Sequence, residues 1–309
     1  MLKKFGGEYG KQRLFGAVGW GIGAYIAGLA VAAAGISWAF NIGLVFSFLA
    51  LLVLRLIPPV NSTHHDDASG DGGPKPTFMD HLRLIAQKKD ILMLLIVVFF
   101  MGLMYGVLSS FLTLNLFNLS GGNAQIVGIA IMCETASELP AFFFSHAIIQ
   151  KLGTVKVLLV SITAYALRIT WYASMTNAWS AIPFEFLHGC TFGLAWSACT
   201  QYIYSAAPKG TEGTLMGLLN ATQNGLARAV GTLIGGYFYE QYGARTMWIV
   251  TDMGVPVALV GVAMFAYLKN RNELIEEEQH LLEEAVLFSP HNGNLQVLVG
   301  TEPSYEEVP

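Results

Sequence analysis

The sequence predicts an all-α membrane protein that crosses the bilayer several times. Three observations carry this reading. The 309-residue chain is 54% hydrophobic and only 12% charged, with a mean hydropathy of +0.51, whereas soluble domains average about 25% charged. Its apolar residues gather into eight segments, at roughly 14–36, 40–57, 91–117, 124–149, 155–173, 181–206, 215–239 and 247–268, each near the ~20 residues that span a hydrocarbon core. None shows the period-two alternation over ~10 residues expected of membrane-barrel strands.

Taken in order, residues 1–58 hold the first two segments. The opening residues lack the apolar run and small-residue cleavage site of a signal peptide. Gly16, Gly19, Gly21, Gly23 and Gly28 mark the first segment as one whose helix approaches a neighbour closely or slides along it. Residues 59–90 form a polar linker, rich in Ser, His, Asp, Gly and Pro up to Pro76 and expected to be disordered there. His64-His65 with Asp66-Asp67 could hold a metal, but a run without fixed geometry is more often simply solvated. Neither a metal nor a cofactor is expected. Cys133, Cys190 and Cys199 fall in apolar segments and read as packing residues.

Residues 91–268 hold six segments, and here ionisable residues enter the membrane. The fourth segment carries Glu134 and Glu138, four apart and so on one helix face. Two close carboxylates repel, which suits a site that loads and unloads a proton; packing against Arg168 of the fifth segment is the alternative. The sixth carries Glu185 and His188 on one face. The seventh carries Arg228 among Gly217, Gly225, Gly231, Gly235 and Gly236. A charge at bilayer depth costs roughly 2.5–3.5 kcal/mol on insertion scales, so such residues usually line an ion or solute path. Residues 269–309 form an acidic tail. It contains a weakly amphipathic helix and two short patterns resembling sorting signals, Glu277 with Leu281-Leu282 and Tyr305 to Val308.

Charge in the loops sets the orientation. With the N-terminus in the cytoplasm, fourteen of the seventeen Lys and Arg residues lie inside and Arg245 alone outside; Arg168 and Arg228 lie within helices. Basic residues concentrate in cytoplasmic loops, so both termini are expected inside. The net charge of −4 gives no reason to expect nucleic acid as a partner. His-Glu-x-x-His, Gly-x-Ser-x-Gly and phosphate-loop motifs are all absent, so an enzyme is not expected. Scattered single charges fit a binding site near the bilayer midplane better than the residue rings of a channel.

Several motifs resemble one known group. Tyr9-Gly-Lys-Gln-Arg13-Leu-Phe-Gly16-Ala-Val-Gly19-Trp20 resembles the start of the fifth helix in the lactose permease and nucleoside–proton symporter group of the major facilitator superfamily. Ser137-Glu-Leu-Pro140, Gln150-Lys-Leu-Gly153 and Arg168 resemble its eighth and ninth helices. Glu185-Phe-Leu-His188-Gly through Trp196, with Ala-Pro208 and Thr214-x-x-Gly217, is similar to the "major facilitator superfamily domain-containing protein 6" branch. The resemblance implies a fold of twelve helices in two halves, of which this chain would hold eight, beginning at helix five, as a truncated gene model or fragment would. It implies that Arg13 and Trp20 stand where that group has sugar-contacting residues, and that Arg168 and His188 match charged positions of its proton and sugar machinery. Thr191 takes the place of the group's proton-carrying glutamate, and Gly106 and Ser109 replace its seventh-helix aspartates. Glu134, Glu138 or Glu185 would then have to carry any proton. The expectation is a secondary transporter of a small polar solute, proton-coupled through these groups, in the plasma membrane or an endolysosomal membrane. The alternative is a receptor or interaction protein that keeps the fold without transport.

Overall fold

The computed structural model describes residues 15–23, 26, 35, 37–56, 78–208 and 210–288. Arg13, the His64–Asp67 run and Tyr305 lie outside them. The chain forms two compact units, Met1–Ala266 and Tyr267–Pro309. Among the described residues there are helices and turns and no strand.

The helices follow the apolar segments. Residues 15–23 form α1 and Ser37–Leu56 form α2, whose described side chains are nearly all exposed. Phe78–Gln87, within the polar linker read over 59–90, is an amphipathic helix, α3. Ile85 is buried and Met79 and Leu84 are exposed, so the helix has one packed and one open face. α4 (Lys89–Leu119) has buried Asp90 in its first turn, where the helix dipole favours a negative charge, and Tyr202 donates to that carboxylate at 2.7 Å. α5 (Ala124–Leu152) and α6 (Thr154–Ser174) follow, separated by Gly153. That residue has φ 79°, a left-handed turn open to glycine without strain.

The sixth segment departs from the single helix its apolarity predicts. A 3₁₀ turn, Ala178–Ala181, leads into a short helix α7, Ile182–Glu185. Gly189–Leu194 is then wound as a π-helix and continues as α8, Ala195–Ala206. The seventh segment departs likewise: α9 (Glu212–Asn220) passes through a π-helical stretch, Ala221–Ala227, into α10, Arg228–Asp252. Gly243, at φ 81°, breaks α10 between the seventh and eighth segments. α11 (Gly254–Phe288) carries the chain from the first unit into the second, where Lys269 pairs with Glu273.

Among the described residues, four helical stretches, Lys89–Leu119, Ile126–Leu152, Thr154–Ser174 and Glu212–Leu282, are long and apolar enough to cross a membrane, and the last includes the Gly243 break. Their outward faces are apolar, with Leu167, Leu233, Ile249 and Val260 exposed. Lipid is as apolar as leucine, so the helices are held by close packing and polar contacts instead of by escape from water. The tightest packing is between α4 and the π-helical stretch running into α10. A Cβ at Gly102 would stand 2.6 Å from the Ala227 methyl, and one at Gly106 2.5 Å from the Arg228 carbonyl oxygen. Gly231 sits still closer to the Leu103 backbone.

Candidate functional site

One buried residue organises the interior of the first unit. Arg168, on α6, is 1% exposed, and all five of its N–H donors are used. Nε donates to the Tyr172 hydroxyl at 3.0 Å. Nη1 faces His188 Nδ1 at 3.1 Å and donates to Thr191 Oγ1 at 3.1 Å. Nη2 donates to Glu185 Oε2 at 2.7 Å and to Glu134 Oε1 at 3.2 Å. Tyr172, one helical turn beyond Arg168, donates its own proton to Glu185 Oε1 at 2.6 Å. Glu185 is fully buried, and both of its oxygens are occupied.

His188 extends the network to a third carboxylate, with Nε2 lying 2.8 Å from Glu138 Oε1. Its two neighbours on the other side make opposite demands. Arginine can only donate, so the Arg168 contact requires a lone pair on Nδ1. Glu134 Oε1, 3.5 Å from the same nitrogen, can only accept while ionised, and so favours a proton there. Neutral His188, protonated on Nε2, satisfies Arg168 and Glu138. Doubly protonated, it repels the guanidinium and attracts Glu134.

Backbone winding places these side chains. Glu185 ends the short helix α7, and His188 immediately precedes the π-helix. A π-turn disturbs the regular backbone ladder, and at membrane depth the displaced groups need new partners. They find them on neighbouring helices: the Gly189 N–H donates to Ser137 Oγ at 2.9 Å, and Ser161 Oγ donates to the Cys190 carbonyl at 2.8 Å. Gly189 also lies against the Ser137 carbonyl, where a Cβ would overlap it. The irregular turn is thus clamped between α5 and α6, the helices that carry Glu134, Glu138 and Arg168.

The structure therefore brings Glu134, Glu138, Arg168, Glu185 and His188 into one network. Trp20 is not in it: its side chain is 72% exposed on α1. That helix does reach α5, since a Cβ at Gly21 would stand 3.0 Å from the Thr135 methyl, next to Glu134. Two members escaped the sequence reading. Tyr172 had a signal in its four-residue spacing from Arg168, the same spacing that singled out Glu134 and Glu138. Thr191 was noted only as a missing glutamate, yet its hydroxyl accepts from Arg168. Among the described residues no group of three or more His, Cys, Asp or Glu side chains is placed to hold a metal ion.

Comparison with known proteins agrees with this architecture. The chain is 26% identical over 280 residues to maltose permease of Geobacillus stearothermophilus, covering 89% of this chain and 66% of that one. It is 22% identical over 239 residues to "Major facilitator superfamily domain-containing protein 6-like" of Mus musculus, covering 77% and 40%. It is 24% identical over 264 residues to "Probable 3-phenylpropionic acid transporter" of Escherichia coli (strain K12), covering 82% and 65%. The chain spans two-thirds or less of the length of each of these relatives. The sequence profile described as "MFS_1 like family" matches residues 1–250. With bilayer-length apolar helices, a charged network enclosed among them and this match over most of its length, the chain is an integral membrane protein that belongs to the MFS_1 like family of the major facilitator superfamily.

Proposed function

We propose that the chain works as a proton-coupled secondary transporter of a small solute, with the Arg168 network as its proton-exchanging core. The observation that carries this reading is the conflict at His188 Nδ1, which lies 3.1 Å from a guanidinium nitrogen and 3.5 Å from the Glu134 carboxylate. One proton decides which neighbour it binds. A proton on Nδ1 would break the Arg168 contact and favour Glu134, so the charge on His188 sets the pairing of Arg168 with Glu134 and Glu185. Two pairings close in energy make a bistable element, which alternating access requires. The charge count points the same way. Three carboxylates meet one guanidinium and one imidazole, so with all three ionised and His188 neutral the network would carry two more negative than positive charges. Uncompensated charge is costly in the membrane interior, and protons relieve it.

The relatives' names mention a neutral sugar and an aromatic acid, and both serve as probes. Radiolabelled maltose and 3-phenylpropionate are offered to vesicles containing the purified chain under an imposed inside-alkaline pH gradient. Accumulation above the outside concentration and above that of protein-free vesicles under the same gradient, collapsing with a protonophore, supports coupling. Accumulation that ignores the pH gradient contradicts it. If the vesicles take up no more of either probe than protein-free ones, transport of these two solute types is excluded and the receptor reading gains.

A further inference from the structure

Arg228 lies midway along the seventh segment, between Glu212 and the break at Gly243, where the π-helical stretch ends and α10 begins. It is a permanent cation at bilayer depth. Unlike Arg168, it has no carboxylate within ion-pair distance among the described residues, where Arg168 takes Glu134 and Glu185. Its backbone packs against Gly106 of α4, a residue with no side chain to offer. Its exposed guanidinium lies instead over the ring of Tyr105, with the central carbon 5.5 Å from the ring centroid.

From Tyr105 a ladder of rings leads to the buried network. Tyr105 stacks on Phe192 at 5.2 Å with 15° between planes. Phe192 stacks on His188 at 5.7 Å and on Trp196 at 6.5 Å. Tyr105 thus links Arg228 to the His188 imidazole through rings that are themselves buried, Phe192 being 7% and Trp196 5% exposed, and Tyr105 alone of the three rings is half-open beside the guanidinium.

We propose that Arg228 binds the carboxylate end of a small organic monoanion whose apolar or aromatic body rests against the half-buried Tyr105 ring. A planar guanidinium offers the bidentate fork that a carboxylate fits. Phosphate shares that chemistry, but its dianion would leave one negative charge unbalanced beside a single guanidinium, whereas one positive charge balances one carboxylate. An aromatic face already holding a cation suits a ligand with an apolar body and an anionic end. The inference deepens the transport reading and rests on it for the ligand's fate, though not for its binding.

The test is equilibrium binding of radiolabelled 3-phenylpropionate to the full 309-residue chain in detergent, with unlabelled 3-phenylpropanol and maltose as neutral competitors. The parent should bind the acid, and the alcohol should compete about 30-fold more weakly or worse, the loss expected when a charge-paired group is removed. Arg228→Gln should lose binding by a similar factor, and Arg228→Lys, which keeps the charge without the fork, should fall between. Equal competition by the alcohol overturns the proposal on the parent alone, whatever the variants do. So does parent-like affinity in Arg228→Gln, or failure of the parent to bind the acid at millimolar concentration. Accumulation of maltose by a chain that does not bind the acid removes this assignment and leaves the transport reading. Binding of the acid without uptake into vesicles leaves the assignment and removes the transport reading.

Discussion

Arg168 is the residue on which the interior depends. It is buried, charged and bonded through every donor, and four of its five acceptors sit on helices other than its own. Removing it leaves Glu185 buried without a cation, with Tyr172 still donating to Oε1 and Glu134 nearby. Breaking a buried pair on one side costs about 3–5 kcal/mol. Arg168→Gln should therefore lower the melting temperature in detergent markedly. The double change Arg168→Gln with Glu185→Gln should recover much of that loss, because it removes the orphaned charge. A single variant that melts with the parent would show that the pair contributes nothing. The carboxylates and the histidine were legible in the sequence because a charge inside an apolar run stands out and helical spacing shows which charges share a face. Thr191 was not, since hydroxyl groups are ordinary in membrane helices and only the fold shows which guanidinium it meets, and Tyr172 had no signal beyond its four-residue spacing from Arg168. Trp20 shows the converse: its match to a motif singled it out, while the structure leaves its ring exposed.

Among the elements, the two π-helical stretches matter most. One follows His188 and the other precedes Arg228, so each irregular stretch borders an ionisable residue at membrane depth. Apolar length located the helices among the described residues, and the Tyr239–Met247 boundary falls where Gly243 breaks the helix. The π-turns were not legible. Apolarity reports depth and not winding, and the clamps that stabilise the first turn, Ser137 and Ser161, come from other helices. The amphipathic helix Phe78–Gln87 was missed because its polar face resembles the linker before it. Close packing at this scale gives a paired prediction. Gly231→Ala forces a methyl into the Leu103 backbone and should destabilise by about 1–3 kcal/mol. Gly217→Ala meets nothing within 4 Å and should be neutral or stabilising by up to about 1 kcal/mol. Equal thermal shifts for the two would contradict the packing described for α4 and α10.

At the scale of the whole molecule, orientation and coupling are the open proposals. From the charge asymmetry we propose that both termini face the cytoplasm. Cysteines introduced at Ser69 and Ser289 of a cysteine-free chain should then resist an impermeant thiol reagent added outside intact cells, and one at Asn123, in the turn between α4 and α5, should react. Outside labelling at Ser69 would reverse the orientation. The central claim is that the Arg168 network moves protons together with solute. Its most direct test compares uphill uptake with solute exchange in vesicles containing the parent, Glu138→Gln or Glu185→Gln, using whichever probe the parent carries and equal amounts of folded protein. The account predicts that both neutral variants lose accumulation driven by a pH gradient while exchange of labelled for unlabelled solute continues. Accumulation at the parent level in both variants would show that these carboxylates only pack, and would contradict the account.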